Sequence, residues 1–304
     1  MASLRLEGTR RTLADREVGK MDFFQGKTAI VTGAGSGIGR ALALALADAG
    51  TGKVIITDII QERIDQVTDE LRCKGVETEG YLVDHSKLEE VRSFADRFFE
   101  RWGHVDILCS NAGVGLGGRF LETSMEEWEW VVGINFWGAI YMLNAFVPRM
   151  VERRQGSILL TASDCGVVPL PFSCAYNATK FAVVAVGETI LPELNEHNVK
   201  LSMLCPGDIK TNVIRDGKIH VDDRAGRSNK DLIEKYYEDK GADPAVVAAA
   251  ALRGLERDKA IIIVPWIHHG PFYLLYRISP WLYNTVIRLA YNTGLLHRMQ
   301  GLRR

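Results

Sequence analysis

Thr28-Ala29-Ile30-Val31-Thr32-Gly33-Ala34-Gly35-Ser36-Gly37-Ile38-Gly39 runs from a short apolar stretch through a glycine-rich turn into an alanine- and leucine-rich segment. The first part reads as a buried strand and the last as a helix. Glycines between the two let the backbone turn sharply and approach a pyrophosphate. The helix N-terminus beyond them offers free N–H groups and the positive end of its dipole. A strand, a glycine turn and a helix in this order open a dinucleotide-binding α/β fold.

The residues that follow repeat the pattern. Apolar runs at Val54–Asp58, Tyr81–Asp84, Val105–Cys109, 157–162, 199–204 and Ile261–Pro265 alternate with helical segments near 60–73, 86–101, 124–153, 175–195 and 243–257. Short β-branched runs separated by helices mean βαβ units and a parallel sheet buried on both faces. Right-handed crossovers then give a Rossmann-like, doubly wound α/β fold of about seven strands in a single domain. The domain is expected over 26–265, after an arginine-bearing polar arm at 1–25 without the apolar core of a secretory signal and before a C-terminal aromatic and apolar extension at 266–304.

Size and composition agree with this. The chain has 304 residues, a formal net charge of −1 and 47% hydrophobic residues, which suits a globular protein and gives no electrostatic case for nucleic acid. Cys73, Cys109, Cys165, Cys174 and Cys205 are odd in number and form no Cys-x-x-Cys pair. They are expected to be free, mostly buried thiols in a reducing, cytoplasmic compartment. The histidines show no ligand spacing, so no metal is expected.

Asp58 ends the second apolar run. A carboxylate there accepts hydrogen bonds from adenosine ribose hydroxyls and repels a 2′-phosphate; it can also cap the helix that follows. Ile59 follows it and Ser36 precedes Gly37, so neither place carries a basic residue. The expected cofactor is NAD.

Further along, Tyr176 and Lys180 are four apart, on one face of a helix, and Ser163 lies thirteen positions before the tyrosine. A free phenol has a pKa of about 10. A lysine charge about 4 Å away contributes roughly 4 kcal/mol at an effective dielectric of 20, enough to bring a phenolate within reach of neutral pH.

With Thr32-Gly33-x-x-x-Gly37-x-Gly39, Asn111-Ala112-Gly113, Ser163, Tyr176-x-x-x-Lys180 and Pro206-Gly207 all in order, the chain resembles the short-chain dehydrogenase/reductase superfamily over roughly 26–265. It is most similar to the compact single-domain branch; the extended branch would place glycine where Ser36 stands. The resemblance implies that Tyr176 is the general acid/base. Ser163 holds the reacting oxygen, and Lys180 lowers the tyrosine pKa and binds the nicotinamide ribose. Asn135 completes a tetrad through a relay water. It further implies that Gly33, Ser36, Gly37, Ile38 and Gly39 cradle the pyrophosphate, that Asp84 faces the adenine and that Asn111, Ala112 and Gly113 line the adenosine side. Pro206, Gly207 and Thr211 would stand near the nicotinamide, and 208–241 would be a variable substrate lid. His85 departs from the family's usual small residue and reads as structural.

The expected activity is NAD-dependent interconversion of a secondary alcohol and a ketone. A bulky apolar substrate such as a steroid, terpenoid or lipid alcohol is suggested by Val167, Val168, Leu170 and Phe172 near Ser163, which read equally well as core packing, and by the aromatic tail. The tail has three readings: packing on the domain or across a homodimer or homotetramer, a wall for an apolar substrate, or peripheral contact with a membrane. The alternative function is an NAD-binding sensor or membrane-associated protein without significant turnover.

Overall fold

A computed structural model describes residues 23–220 and 230–295. Most of the N-terminal arm, 221–229 of the expected lid and the end of the tail from 296 lie outside the described residues.

Seven strands form the main sheet: β1 (Thr28–Thr32), β2 (Lys53–Asp58), β3 (Glu77–Leu82), β4 (Ile107–Ser110), β6 (Gly156–Thr161), β7 (Val199–Pro206) and β9 (Ile261–Val264). Their order is β3-β2-β1-β4-β6-β7-β9, every neighbouring pair is parallel, and the sequence expectation of a doubly wound sheet is met. Two short strands, β5 (Leu116–Gly117) and β8 (Lys218–Ile219), pair outside it.

The strands are short because both sheet faces are buried. On one side α1 (Gly37–Asp48), α2 (Gln61–Cys73) and α8 (Pro244–Glu256) send Leu42, Leu46, Ile64, Leu71 and Leu255 into one apolar cluster. On the other, α3 (Leu88–Trp102), α5 (Gly138–Arg153) and α6 (Cys174–Glu196) contribute Phe94, Phe98, Phe146 and Val183 to a second. The helix α4 (Met125–Val132) starts on a capping box in which Ser124 Oγ and Glu127 Oε2 each accept the other residue's backbone N–H. A π-helical turn, Gly133–Trp137, joins α4 to α5.

The expected lid contains a helix, α7 (Lys230–Lys240), and the tail is a pair of helices, α9 (Trp266–Ile278) and α10 (Pro280–Asn292). The inner face of the pair packs on the second cluster through Tyr273, Tyr276 and Tyr283. Tyr283 is 1% exposed and donates its hydroxyl to the Pro169 carbonyl at 2.8 Å. Its outer face leaves Trp266, Ile267, Phe272, Ile278, Trp281 and Leu289 exposed.

Two details depart from the sequence expectation. The strand expected over 157–162 stops at Thr161, so Ser163 sits two residues beyond it and opens a one-turn 3-10 helix, Asp164–Gly166. All five cysteines are free, but Cys73 and Cys174 are exposed rather than buried, because both lie at helix ends away from the sheet.

Candidate active site

The order in which strands are added to the sheet reverses between β1 and β4, and a crevice opens there at the carboxyl ends of the strands. It is a cavity of about 610 Å³, within the usual size for a small-molecule site. Glycine-loop residues Gly33, Ser36, Gly37, Ile38 and Gly39 line one part of it. Asp58, Asp84, Asn111, Ala112 and Gly113 line the next, and Ser163, Tyr176, Lys180, Pro206, Gly207 and Thr211 the rest. Residues far apart in sequence thus share one space.

The loop brings its backbone close against the cavity. Gly33 and Gly37 have φ of +61° and +54°, a region that side-chain-bearing residues seldom occupy. A Cβ on Gly39 would stand 2.1 Å from the Gly33 carbonyl oxygen, so only glycine lets the helix start so close to the turn. Ser36 caps α1 without a side-chain hydrogen bond, and Gly37, Ile38 and Gly39, the first residues of the helix, line the crevice. This cradle fits a dinucleotide pyrophosphate. Thr32 ties it down: its Oγ1 accepts the N–H groups of Asn111 and Ala112 at 2.9 Å each, and Asn111 Nδ2 donates to the Thr32 carbonyl at 3.1 Å.

Asp58 lines the cavity and holds the backbone around it. One carboxylate oxygen accepts from the Gly35 N–H at 2.8 Å, the other from the Ile59 and Ile60 N–H groups ahead of α2. Sequence reasoning missed Arg63. One helical turn further on, it lines the cavity beside Asp58 and pairs with Asp216 at 2.8 Å. Asp84 Oδ1 accepts from the Ser86 N–H and hydroxyl. His85 is buried, bonds Thr57 Oγ1 at 2.7 Å through Nε2, and is pushed down to about 4 by burial, so it stays neutral near pH 7.

Asn135 lies in the π turn and does not line the cavity. Its side chain clamps the backbone of Val114, accepting from the N–H at 2.8 Å and donating to the carbonyl at 3.0 Å. That clamp holds the segment leaving Gly113. A Cβ at Gly113 would meet Asn135 Oδ1 at 3.2 Å and Lys180 Nζ at 3.3 Å, which brings these two side chains to the same glycine.

Ser163 and Tyr176 line the same cavity, close enough for the serine hydroxyl to act on the tyrosine's pKa. The lysine behaves differently from the sequence expectation. Its Nζ donates to the Thr161 carbonyl at 3.1 Å and stands 5.7 Å from the centre of the Tyr176 ring. Burial pushes the tyrosine pKa up rather than down, with Cys165 and Asp164 adding to the rise and the Ser163 hydroxyl opposing it. Lys180 is itself pushed down to about 8 by burial. The Coulomb estimate from helical spacing omitted the cost of removing both charged forms from water, which here is the larger effect.

The apolar wall is also not the expected one. Val167 and Val168 belong to the buried core, and neither they nor Leu170 nor Phe172 lines the cavity. Leu116, Trp130, Val213, Ile214, Ile219 and Tyr237 do. They come from β5, α4, β8, residues 213–214 and α7, a set that only the paired short strands bring together. Among the described residues no cluster of potential metal ligands occurs.

Fold and crevice together define a Rossmann-like α/β domain whose cavity is shaped for a dinucleotide. The short chain dehydrogenase family profile matches residues 27–219, and the chain belongs to that family. It is 35% identical over 250 residues to "Probable oxidoreductase EphD" of Mycobacterium bovis, a match that covers 79% of this chain and 42% of that relative. The chain therefore spans less than half the length of this relative. Among solved structures, a short chain dehydrogenase/reductase from Burkholderia phymatum in complex with NAD superposes with a TM-score of 0.78, at 29% identity, covering 85% of this chain and 95% of the other. An alcohol dehydrogenase from Thermococcus sibiricus complexed with 5-hydroxy-NADP superposes with a TM-score of 0.66, again at 29% identity, covering 78% and 94%.

Proposed function

We propose that the protein is an NAD-dependent alcohol dehydrogenase and carbonyl reductase acting on secondary alcohols and their ketones. The observation that carries this reading is the single cavity shared by Ser163, Tyr176, Lys180 and the glycine cradle. A bound nicotinamide dinucleotide supplies the hydride acceptor or donor. Tyr176 Oη takes the alcohol proton in oxidation and returns it to the carbonyl oxygen in reduction, while Ser163 Oγ holds that oxygen. Lys180 Nζ offers its remaining protons to ribose hydroxyls, and Asn135 keeps the Val114 segment in place behind it.

Asp58 supports NAD over NADP, since a carboxylate in this wall repels a 2′-phosphate. Asp216, paired to Arg63, offsets the nearby positive charge. A bulky apolar substrate is supported by Leu116, Trp130, Val213, Ile214 and Ile219 on the cavity wall. The test is NADH production over a panel of alcohols that includes steroids and long chains, with Tyr176→Phe as control. Cofactor binding without turnover, unaffected by that substitution, would favour a sensor instead.

A second reading concerns the tail. From Trp266 to Arg304 the sequence holds no aspartate or glutamate and five arginines, and the outer face of α9 and α10 is apolar and aromatic. This supports peripheral contact with an anionic lipid surface alongside catalysis. Exposed Trp137, stacked on Tyr141 at 5.8 Å on α5, supports assembly into a homodimer or homotetramer through α5 and α6. Vesicle co-sedimentation with and without Trp281→Ser and Ile278→Ser, and sedimentation velocity, separate these two surfaces.

A further inference from the structure

The tail reaches the catalytic serine through a side chain that sequence reading set aside. Ser163 Oγ has two acceptors in range: Asp164 Oδ1 at 2.8 Å and the Pro206 carbonyl at 3.4 Å. The shorter contact is to a carboxylate, and bonds to charged acceptors are the stronger ones, so the hydroxyl proton points to Asp164. The same oxygen accepts the Cys165 N–H at 2.8 Å. The other carboxylate oxygen, Oδ2, lies 2.9 Å from Nδ1 of His269 on α9.

The backbone is shaped for this contact. A Cβ on Gly207 would stand 2.0 Å from His269 Nε2, so only glycine leaves room for the imidazole against β7's exit. Gly207 lines the cavity and His269 does not. The ring acts from behind the wall.

We propose that Asp164 and His269 form a positioning pair that fixes the place of the Ser163 oxygen, so that helix α9 takes part in setting the catalytic geometry without touching substrate. In the empty site Ser163 Oγ is held between Asp164 Oδ1, which accepts its proton at 2.8 Å, and the Cys165 N–H, which donates to it at 3.2 Å; when substrate binds, the proton turns from Asp164 to the reacting oxygen. An oxygen already in place leaves only its proton to turn when substrate arrives. The inference rests on the oxidoreductase reading above.

The pair titrates in a crowded setting. Asp208, Tyr236 and Tyr237 face it from the lid side, and Cys165, Tyr176 and Cys205 from the sheet side. Burial works against a charged His269, but the hydrogen bond to Asp164 and the charges of Asp164 and Asp208 outweigh it and raise its pKa above 6.5.

The test uses the full chain and three variants. His269→Leu should lower kcat about tenfold, with KM changed less than kcat and NADH affinity, read by fluorescence, unchanged. His269→Asn keeps an N–H at the reach of Nδ1 and should recover most of that loss. The wild-type pH profile of kcat should carry an inflection above the ordinary imidazole range that His269→Asn lacks. Wild-type kcat in His269→Leu, or equal losses in both variants with a lowered Tm, would overturn the proposal. NMR titration of the His269 imidazole reads the pair without turnover: its pKa should lie above the free value and fall in Asp164→Asn, and an unshifted value sinks the pair. Absence of turnover in the wild type, with this titration as expected, would instead fault the oxidoreductase reading.

Discussion

The Lys180 ammonium and the Tyr176 ring stand 5.7 Å apart with the lysine bonded to the Thr161 carbonyl. Burial raises the phenol and lowers the amine. The tyrosine therefore rests protonated, the form that the proposed function needs for ketone reduction, and its base form grows only as pH rises. Alcohol oxidation should accelerate from neutral to alkaline pH while ketone reduction does not, and Tyr176→Phe should abolish both limbs. Initial rates in each direction between pH 6 and 10 check the sign.

Because Lys180 loses its charge as pH rises through about 8, the chain without cofactor should bind NADH more weakly above that point. Lys180→Met should weaken binding at pH 7 and flatten the pH dependence. Fluorescence titration of NADH across the range is the measurement.

Asp58→Asn removes the negative charge from the ribose wall yet keeps an acceptor for the Gly35 N–H. It leaves Arg63 beside the same wall. The NADPH-to-NADH affinity ratio should rise about tenfold, equivalent to about 1.4 kcal/mol. An unchanged ratio would place cofactor choice elsewhere.

Trp130 is the largest apolar side chain on the substrate wall, with Lys218 Nζ 4.6 Å from its ring centre. Trp130→Ala should raise KM for bulky alcohols by about tenfold, the scale of losing a large apolar contact of about 1.4 kcal/mol. Small alcohols should be affected less.

Gly39→Ala would drive a methyl group into the Gly33 carbonyl. Loss of NADH binding is expected, together with destabilisation of about 2–4 kcal/mol, read as a lowered denaturation midpoint.

The fold was legible because β1, β2, β4, β6 and β7 are each an apolar run bounded by turn residues, a pattern tied to burial on both sheet faces. The cradle was legible for a similar reason: glycines at 33, 37 and 39 answer local backbone demands that sequence displays directly. The substrate wall was not. Val167 and Val168 neighbour Ser163 in sequence, but the 3-10 turn after it rotates them into the core. Leu116 and Ile219 meet only through the β5–β8 pairing. Arg63 and His269 were invisible for a related reason, since each acts across a gap set by tertiary packing. The composition of α9 and α10 suggested apolar contact, and their inner tyrosines do pack on the domain; the helical form of the pair, broken by Ser279 and Pro280, had no clear periodic signal.

Tyr283 fills a hole beneath the segment that joins Ser163 to Tyr176 and satisfies the Pro169 carbonyl there. Cutting the chain after Pro265 would strand that carbonyl without its donor, uncover the tyrosine-lined floor and discard His269. A shortened protein would then lose activity for reasons unrelated to lipid or partner binding. The last helices are better viewed as a keystone than an appendage, and their outer surface must be probed by altering single side chains in an otherwise intact chain.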